Sequence, residues 1–431
     1  MQETPPGIEN RPRLAVVYGH RSLDVMQICD GARGWCDLVW LVDAADPSVA
    51  AVRPILRKFG VVVDALGESA PVAAEALRAY SPAGLVTFYD TGMERIAAVA
   101  HELGLPFHSP QTARNLEDKL HQRDALRAAG LPTPRTAALP HDADRATVER
   151  IGGSISYPAV LKPRRASGSW HTFRVPDVSE LGPLWCQAVS DGREEMLVEE
   201  YLPDGPAMPA GFEADYVSVE TVVEAGQMTH LAITGRFPLV PPLRETGFFI
   251  PSTLGDEQAR LVLELATQTL RALGLQVGSA HTEIKLTPDG PRVIEVNGRI
   301  GGGVPDMLRL ATGLDIVELT MRAALGLPTG IRELPRARGV AYRFFYQPPA
   351  SARRLRSIEG LDRLKRLPGV ESLYLHYPPG TEIDAAHGTR SYVFAVVGSA
   401  ADYGEVLTIE DFMRTEISAD YDHDPAPLTR R

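Results

Sequence analysis

Residues 281–303, HTEIKLTPDGPRVIEVNGRIGGG, leave the backbone little choice. Two segments of alternating character flank a Pro-Asp-Gly cluster, the signature of an antiparallel hairpin. Centring the loop on Asp289 sets Glu283 opposite Glu295, His281 opposite Asn297 and Lys285 opposite Val293. One face then carries His281, Glu283, Lys285, Val293, Glu295 and Asn297. The other carries Thr282, Ile284, Leu286, Arg292, Ile294 and Val296, mostly apolar and suited to a core. A one-residue slip would exchange the two faces. This register has a cost, because like charges directly opposed on a sheet destabilise it. Two readings of Glu283 against Glu295 stay open: solvated edge residues bridged by Lys285, or carboxylates that share a cation. Hard oxygens select Mg²⁺ or Mn²⁺, and Mg²⁺ takes one or two protein carboxylates and fills its shell with water and phosphate oxygens. On the second reading Asn297 adds a neutral oxygen, and Arg299 brings positive charge at the same spacing.

Upstream, short apolar runs alternate with helix-like stretches from Leu14 onward: LAVVYG, CDLVWLVD, PSVAAVRPILRKFG, VVVDAL, PVAAEALRAY, GLVTFYD, MERIAAVAHELG. This order predicts β-α-β units and an open parallel sheet. The first strand ends in YGHRS without GxGxxG, so no dinucleotide site is expected there. NLEDKLHQRDALRAAGLPTPRT reads as one charged amphipathic helix stopped by Gly130 and two prolines. Strands dominate from about Pro158 to Gly235. DEQARLVLELATQTLRALG is an amphipathic helix with Leu261, Leu265, Thr269 and Leu273 on its apolar side. After the hairpin, a helical stretch and a linker lead to a final part that mixes strands with Pro/Gly turns. The last residues, DYDHDPAPLTRR, read as a frayed tail.

Two further stretches carry chemistry. PAVLKPRRASGSWHTF delivers Lys162 on an apolar strand, then a small-residue loop of Ser167, Gly168 and Ser169. Small residues let backbone N–H groups approach phosphate oxygens while a lysine supplies a point charge. It is not GxxxxGK[ST], and a basic surface turn is the alternative reading. MLVEEYLPDG reads as an edge strand, or as a strand crossing a nucleotide cleft, where its backbone meets the adenine edge and a carboxylate takes the ribose hydroxyls.

Composition narrows the partners. A formal net charge of −11 excludes nucleic acid or an anionic membrane as a general partner. No run approaches the roughly 18 apolar residues of a membrane span. Cys29, Cys36 and Cys186 are odd in number and lack CxxC spacing, which speaks against a disulfide framework or zinc and for a reduced cytoplasmic protein with buried thiols.

Taken in order, from the first strand to about Leu327, these pieces resemble the ATP-grasp superfamily of carboxylate–amine ligases, and within it the dipeptide-forming L-amino-acid ligases. The resemblance implies an ATP-grasp fold, α/β with α+β lobes, preceded by an open parallel-sheet domain and followed by a C-terminal α+β domain. The implied boundaries are 1–110, 111–195 (first lobe), 196–330 (second lobe with the metal site) and 331–431. It implies ATP and Mg²⁺ (or Mn²⁺) as cofactors, with nucleotide contacts from Lys119, Lys162, the loop Ser167–Ser169 and the hinge Glu199, Glu200, Tyr201 and Leu202. The implied metal ligands are Glu283, Glu295 and Asn297. Arg299 would stabilise the transferred phosphate and the acyl intermediate, Arg236 would serve the phosphates, and Glu245 would meet a substrate amine. Gly301, Gly302 and Gly303 would leave the acceptor side without bulky walls. The implied reaction joins a small-molecule carboxylate to an amine through an acyl phosphate, releasing ADP and phosphate. Alternatives are a carboxylase, a formyl-phosphate-type ligase, or a nucleotide-binding regulatory protein. The part after Ile331 would either cap the acceptor pocket or form a homodimer contact.

Overall fold

A computed structural model describes residues 11–166, 168–190, 195–205, 208 and 211–423 of the chain. Ser167 and the last eight residues of the expected tail lie outside these.

The first four strands, Arg13–Val17, Asp37–Val42, Gly60–Asp64 and Gly84–Thr87 (β1 to β4), form a parallel sheet in the order β3-β2-β1-β4. The inner strands β1, β2 and β4 are almost continuously apolar because both faces are covered, whereas the edge strand β3 leaves Val61 exposed. Leu14 and Val16 enter one core cluster while Ala15 and Val17 enter another on the opposite face. The chain steps outward from β1 through β2 to β3, then crosses to the other side of β1 for β4. The order therefore reverses between β1 and β4, the place where an open α/β sheet offers a crevice at its carboxyl ends. The sheet also packs tightly on the rest of the molecule: a Cβ at Gly84 would lie 2.3 Å from the carbonyl oxygen of Ala324.

The expected single helix over 115–130 is two, Pro110–Glu117 and Lys119–Ala128, broken at Asp118. The Asp118 carboxylate, fully buried, accepts from the backbone N–H groups of Leu120 and His121 and from Arg164 Nε at 2.8 Å. A carboxylate capping a helix start leaves the next residue, Lys119, in the first helical position. Beyond lies a four-stranded sheet of Thr136–Leu139, Ala159–Pro163, Phe173–Val175 and Met196–Glu200 (β5 to β8), ordered β5-β8-β6-β7.

The remaining strands are Tyr216–Glu224, Gln227–Arg236, Gly247–Ile250, Gly278–Thr287, Gly290–Asn297, Val340–Tyr346, Ala352–Glu359, Val370–Leu375, Phe394–Ala400 and Ser418–His423 (β9 to β18). Eight of them make one sheet in the order β13-β12-β9-β10-β11-β14-β17-β16. Three strands after residue 330, β14, β16 and β17, thus extend the sheet that carries the hairpin, through β11 against β14, while β15 and β18 pair separately. The helix Asp256–Leu273 covers one face, burying Val262, Leu265, Ala266, Thr269, Leu270 and Leu273. Leu261, expected on that side, is exposed, because the buried stripe runs one residue further round. Asp420–His423 of the expected tail belong to β18, paired with β15. Cys29 and Cys36 are buried as expected, whereas Cys186 is exposed. No helix among the described residues is long and apolar enough to cross a membrane.

Candidate active site

The hairpin pairs Glu283 with Glu295 and His281 with Asn297, but Lys285 faces Arg292 rather than Val293. The register shifts just past Glu283, where Ile294 is an extra residue on β13. That bulge corrects the expected faces. Val293 falls opposite Ile284, and both enter the core, while Ile294 turns to line the cleft.

One cleft is lined by Lys119, Lys162, Gly168, Ser169, Glu199, Glu200, Tyr201, Leu202, Glu245, Glu283 and Glu295. Strand β6 delivers Lys162, and β8 delivers the hinge. Lys162 lies opposite Leu197 and Glu199 opposite Val160, so the two charged groups are diagonal neighbours on one face. Their side chains form an ion pair, and Arg123 grips the same carboxylate at 3.1 and 3.2 Å. Burial alone would raise the Glu199 pKa, but Arg123 and Lys162 hold it down at about 2. Burial draws the Lys162 ammonium below its usual range, against the pull of Glu199. Both Glu199 oxygens are thus engaged by cations. Glu200 is the half-buried acid of the hinge, accepting from the Arg135 backbone N–H at 3.1 Å. Lys119 lies 3.5 Å from Glu295 and donates to the Ala166 carbonyl, which ties it to the small-residue loop. That loop holds Gly168, Ser169 and His171 in left-handed conformations, at φ of 73°, 56° and 45°. Val160, Trp170, Leu239, Leu243 and Ile294 supply apolar walls.

Across the large sheet, His281 lies between strand partners Glu220 and Asn297, and Glu283 lies between Ser218 and Glu295. His281 Nδ1 is 2.9 Å from the fully buried Glu220, and its Nε2 is 3.3 Å from Glu283. Burial opposes the charge on His281, but Glu220 raises its pKa to about 9. The imidazolium in turn holds Glu283 low against the opposing effect of burial. Asn297 donates to Glu295 at 3.3 Å, leaving its amide oxygen for a cation. Among the described residues no three His, Cys, Asp or Glu side chains gather as a metal cluster. Two carboxylates and one amide oxygen nevertheless fit Mg²⁺, which needs few protein ligands and takes only oxygen.

Two expectations change. Arg236 does not line the cleft. It is 2% exposed, stacked 4.7 Å from the Phe248 ring, and donates to Glu245 at 2.7 Å and Ser218 at 3.0 Å. It orients Glu245 rather than reaching phosphates. Gly301 and Gly303 do not open space either. A Cβ at Gly301 would lie 2.4 Å from His281 Nδ1, and one at Gly303 would lie 2.6 Å from the Arg343 side chain; only Gly302 faces open room. Arg299 keeps its place beside the metal-site carboxylates: it donates to Asp90 at 2.8 Å and stays within electrostatic reach of Glu283 and Glu295.

Asp90, Arg123, Glu220 and Asp118 are the polar groups missed in the sequence. None carries a readable signal: FYDTG follows β4, but its place beside the reversal in strand order depends on pairing between distant segments. Asp118 caps a helix start, Arg123 sits mid-helix and Glu220 mid-strand, where residue type alone does not reveal the partner.

The comparisons with known proteins agree with this geometry. Residues 155–306 match the family description "ATP-grasp domain", and residues 343–422 match "L-amino acid ligase C-terminal domain 2". The chain is 29% identical over 357 residues to an uncharacterized protein of Sinorhizobium fredii, covering 80% of this chain and 70% of that one. It is 31% identical over 300 residues to carnosine synthase 1 of Gallus gallus, covering 63% of this chain and 30% of that protein. With alanine–anticapsin ligase of Bacillus subtilis it shares 28% over 244 residues, 52% of this chain and 50% of the relative. The chain thus spans about a third to a half of the named ligases it matches. In structure it resembles an L-amino acid ligase from Bacillus licheniformis, with a TM-score of 0.77 and 22% identity over 96% of this chain and 100% of that one.

Proposed function

Taking as premise that the chain carries an ATP-grasp domain joined to an L-amino acid ligase C-terminal domain, we propose that it is an ATP-dependent carboxylate–amine ligase with an amino acid among its substrates. The observation that carries this reading is the convergence of Lys119, Lys162, the Gly168 loop, the 199–202 hinge, Glu283 and Glu295 on one cleft. We take the division at about 110, 195 and 330 as its working domain plan, noting that the large sheet crosses the last boundary.

In the proposed reaction a carboxylate oxygen of one substrate attacks the γ-phosphorus of ATP, and ADP leaves. The amine nitrogen of the second attacks the acyl carbon, phosphate leaves with the oxygen it gained, and one proton is lost from nitrogen. Such transfers need positioning and charge neutralisation more than covalent help from protein. Lys119 and Lys162 present ammonium groups to phosphate oxygens, and Gly168 and Ser169 present backbone N–H groups beside them. Val160, Leu202 and Ile294 form an apolar slot for the base, edged by the hinge backbone. Glu283, Glu295 and Asn297 would hold Mg²⁺, which when bound would neutralise phosphate charge. Glu245, held by Arg236, offers a carboxylate to a substrate ammonium; its pKa is raised by burial and lowered by Arg236 and lies above its ordinary value. Arg299 supplies the fixed positive charge on the far side of the two glutamates.

A screen of amino-acid pairs for phosphate release tests the proposal. Release that requires both members of some pair is expected; release no greater than with ATP alone across a broad panel would overturn it.

A further inference from the structure

The turn that carries Glu245 into the cleft is closed by Val240 and Arg244, whose backbones exchange hydrogen bonds at 2.9 and 2.8 Å. It also brings Leu239 and Leu243 to the cleft wall. Arg236 orients the Glu245 side chain, but the Glu245 backbone is held from the C-terminal part. Its N–H donates to Thr389 Oγ1 at 3.1 Å, and its carbonyl accepts from Gln347 Nε2 at 2.7 Å. The same Nε2 donates to the Thr389 carbonyl at 2.9 Å. Glu245, Gln347 and Thr389 thus close a ring of three hydrogen bonds. Thr389 passes the connection on, since its N–H donates to the Gly168 carbonyl at 3.1 Å.

The ring has a fixed sense. Two carbonyl oxygens accept only from the amide NH₂ of Gln347, which leaves its Oε1 to face a donor. That donor is Arg244, 3.4 Å away and 2% exposed. Among the described residues Arg244 makes no ion pair; it donates to the Pro241 carbonyl at 2.9 Å and to Ser391 Oγ at 3.4 Å. A glutamate at 347 would suit Arg244 better and the two carbonyls worse, so the amide answers to the ring rather than to the arginine. Ser391, fully buried, donates to the Gly388 carbonyl at 2.6 Å and fixes the segment from its other end. Buried polar groups that lose their partners are costly, so displacing one member of the ring strains the bonds of the others.

Resting on the ligase reading, in which Glu245 meets a substrate ammonium, we propose that Gln347 is a positioning residue that couples this carboxylate to the nucleotide loop. It touches no reactant itself. Nucleotide on the Gly168 loop steadies Thr389, and Thr389 with Gln347 steadies the Glu245 backbone. The ammonium seat is then set before its substrate arrives. Coupling of this kind is reciprocal, so a substrate that meets Glu245 tightens nucleotide in the same proportion.

Hydrogen exchange followed by mass spectrometry, on the full chain with and without Mg²⁺ and ADP, tests this without turnover. ADP is expected to slow exchange about 5-fold or more in peptides spanning 168–172 and also in those spanning 243–246. In Gln347→Ala and Gln347→Glu the slowing should persist over 168–172 and fall below about 2-fold over 243–246. Gln347→Glu separates positioning from folding, because its carboxylate can pair with Arg244 but cannot donate to both carbonyls. Melting curves verify that each variant is folded. With any substrate pair that turns over, Gln347→Glu should raise the KM of one amino acid about 10-fold and change kcat by less than about 3-fold. Undiminished slowing over 243–246 in folded Gln347→Glu would overturn the inference, as would exchange there that ADP leaves unchanged in the unaltered chain. Absence of slowing over 168–172 would remove the nucleotide site and the inference with it. Coupled exchange without turnover of any pair would sink the ligase reading and leave the coupling standing. Turnover without coupled exchange would do the reverse.

Discussion

Glu199 answers to Lys162, Arg123 and Thr136 at once, the last through a 3.3 Å hydrogen bond. Replacing it by Gln would leave two buried cations facing a neutral amide. Breaking a buried pair this way costs about 3–5 kcal/mol, so Glu199→Gln should lower the unfolding free energy by that order in denaturant titration; a change under about 1 kcal/mol would contradict the pairing. Glu295 differs, because its nearest cation, Lys119, lies 3.5 Å away on a half-open side. Glu295→Ala should keep the fold and lose turnover by about 10³-fold or more; a circular-dichroism melt beside a phosphate assay separates the two effects. Much of this chemistry was legible in the sequence. The alternation around Asp289 set Glu283 against Glu295, and an apolar strand announced Lys162. The partners were not legible, because Arg123 to Glu199 and His281 to Glu220 span 76 and 61 residues. Nor was the packing of Gly301 against His281, since a glycine reads the same whether it leaves room or is crowded.

At the scale of elements, the bulge at Ile294 is the point where pattern reading gave way. Strict alternation carries Val293 to the polar face, and one extra residue returns it to the core and spends Ile294 on the cleft. The break at Asp118 is similar: the helical pattern runs through it, and only the carboxylate cap with Arg164 separates the two helices. Gly388, with φ of 65°, sits so close to the nucleotide loop that an added Cβ would lie 2.4 Å from the Gly168 carbonyl oxygen. Gly388→Ala must displace that loop and should raise the KM for ATP by about 10-fold, and the side chain held at positive φ should also lower the melting temperature. An unchanged KM would contradict the contact. Two buried histidines, His108 and His230, shape the acid limb of stability. Burial lowers both pKa values to about 4. In the unfolded chain each titrates near about 6.5, so between these values the unfolded state binds more protons. Stability is therefore fully present above pH 6.5 and falls as pH drops toward 4. His108→Leu should make that fall shallower by on the order of 1 kcal/mol per pH unit, read from denaturant midpoints at several pH values; an identical acid limb would contradict it.

At the scale of the molecule, the parallel N-terminal sheet was plain from its alternating runs, whereas its contribution to the site was not. Strand order is a property of pairing between distant segments, and the loop after β4, beside the reversal, supplies Asp90 as the ion-pair partner of Arg299. The C-terminal part was read as strands and turns without a role. Three of its strands, β14, β16 and β17, continue the sheet that holds Glu283 and Glu295, and the Thr389 N–H in its 388–391 segment donates to the Gly168 carbonyl. The central claim is that the donor carboxylate is phosphorylated before the amine attacks, and oxygen tracing tests it most directly. With an amino-acid donor carrying ¹⁸O in its carboxylate, an amine acceptor and unlabelled ATP, the inorganic phosphate released can be weighed by mass spectrometry. The account predicts one ¹⁸O in each phosphate formed with amide. Phosphate that carries no label while amide accumulates would contradict it.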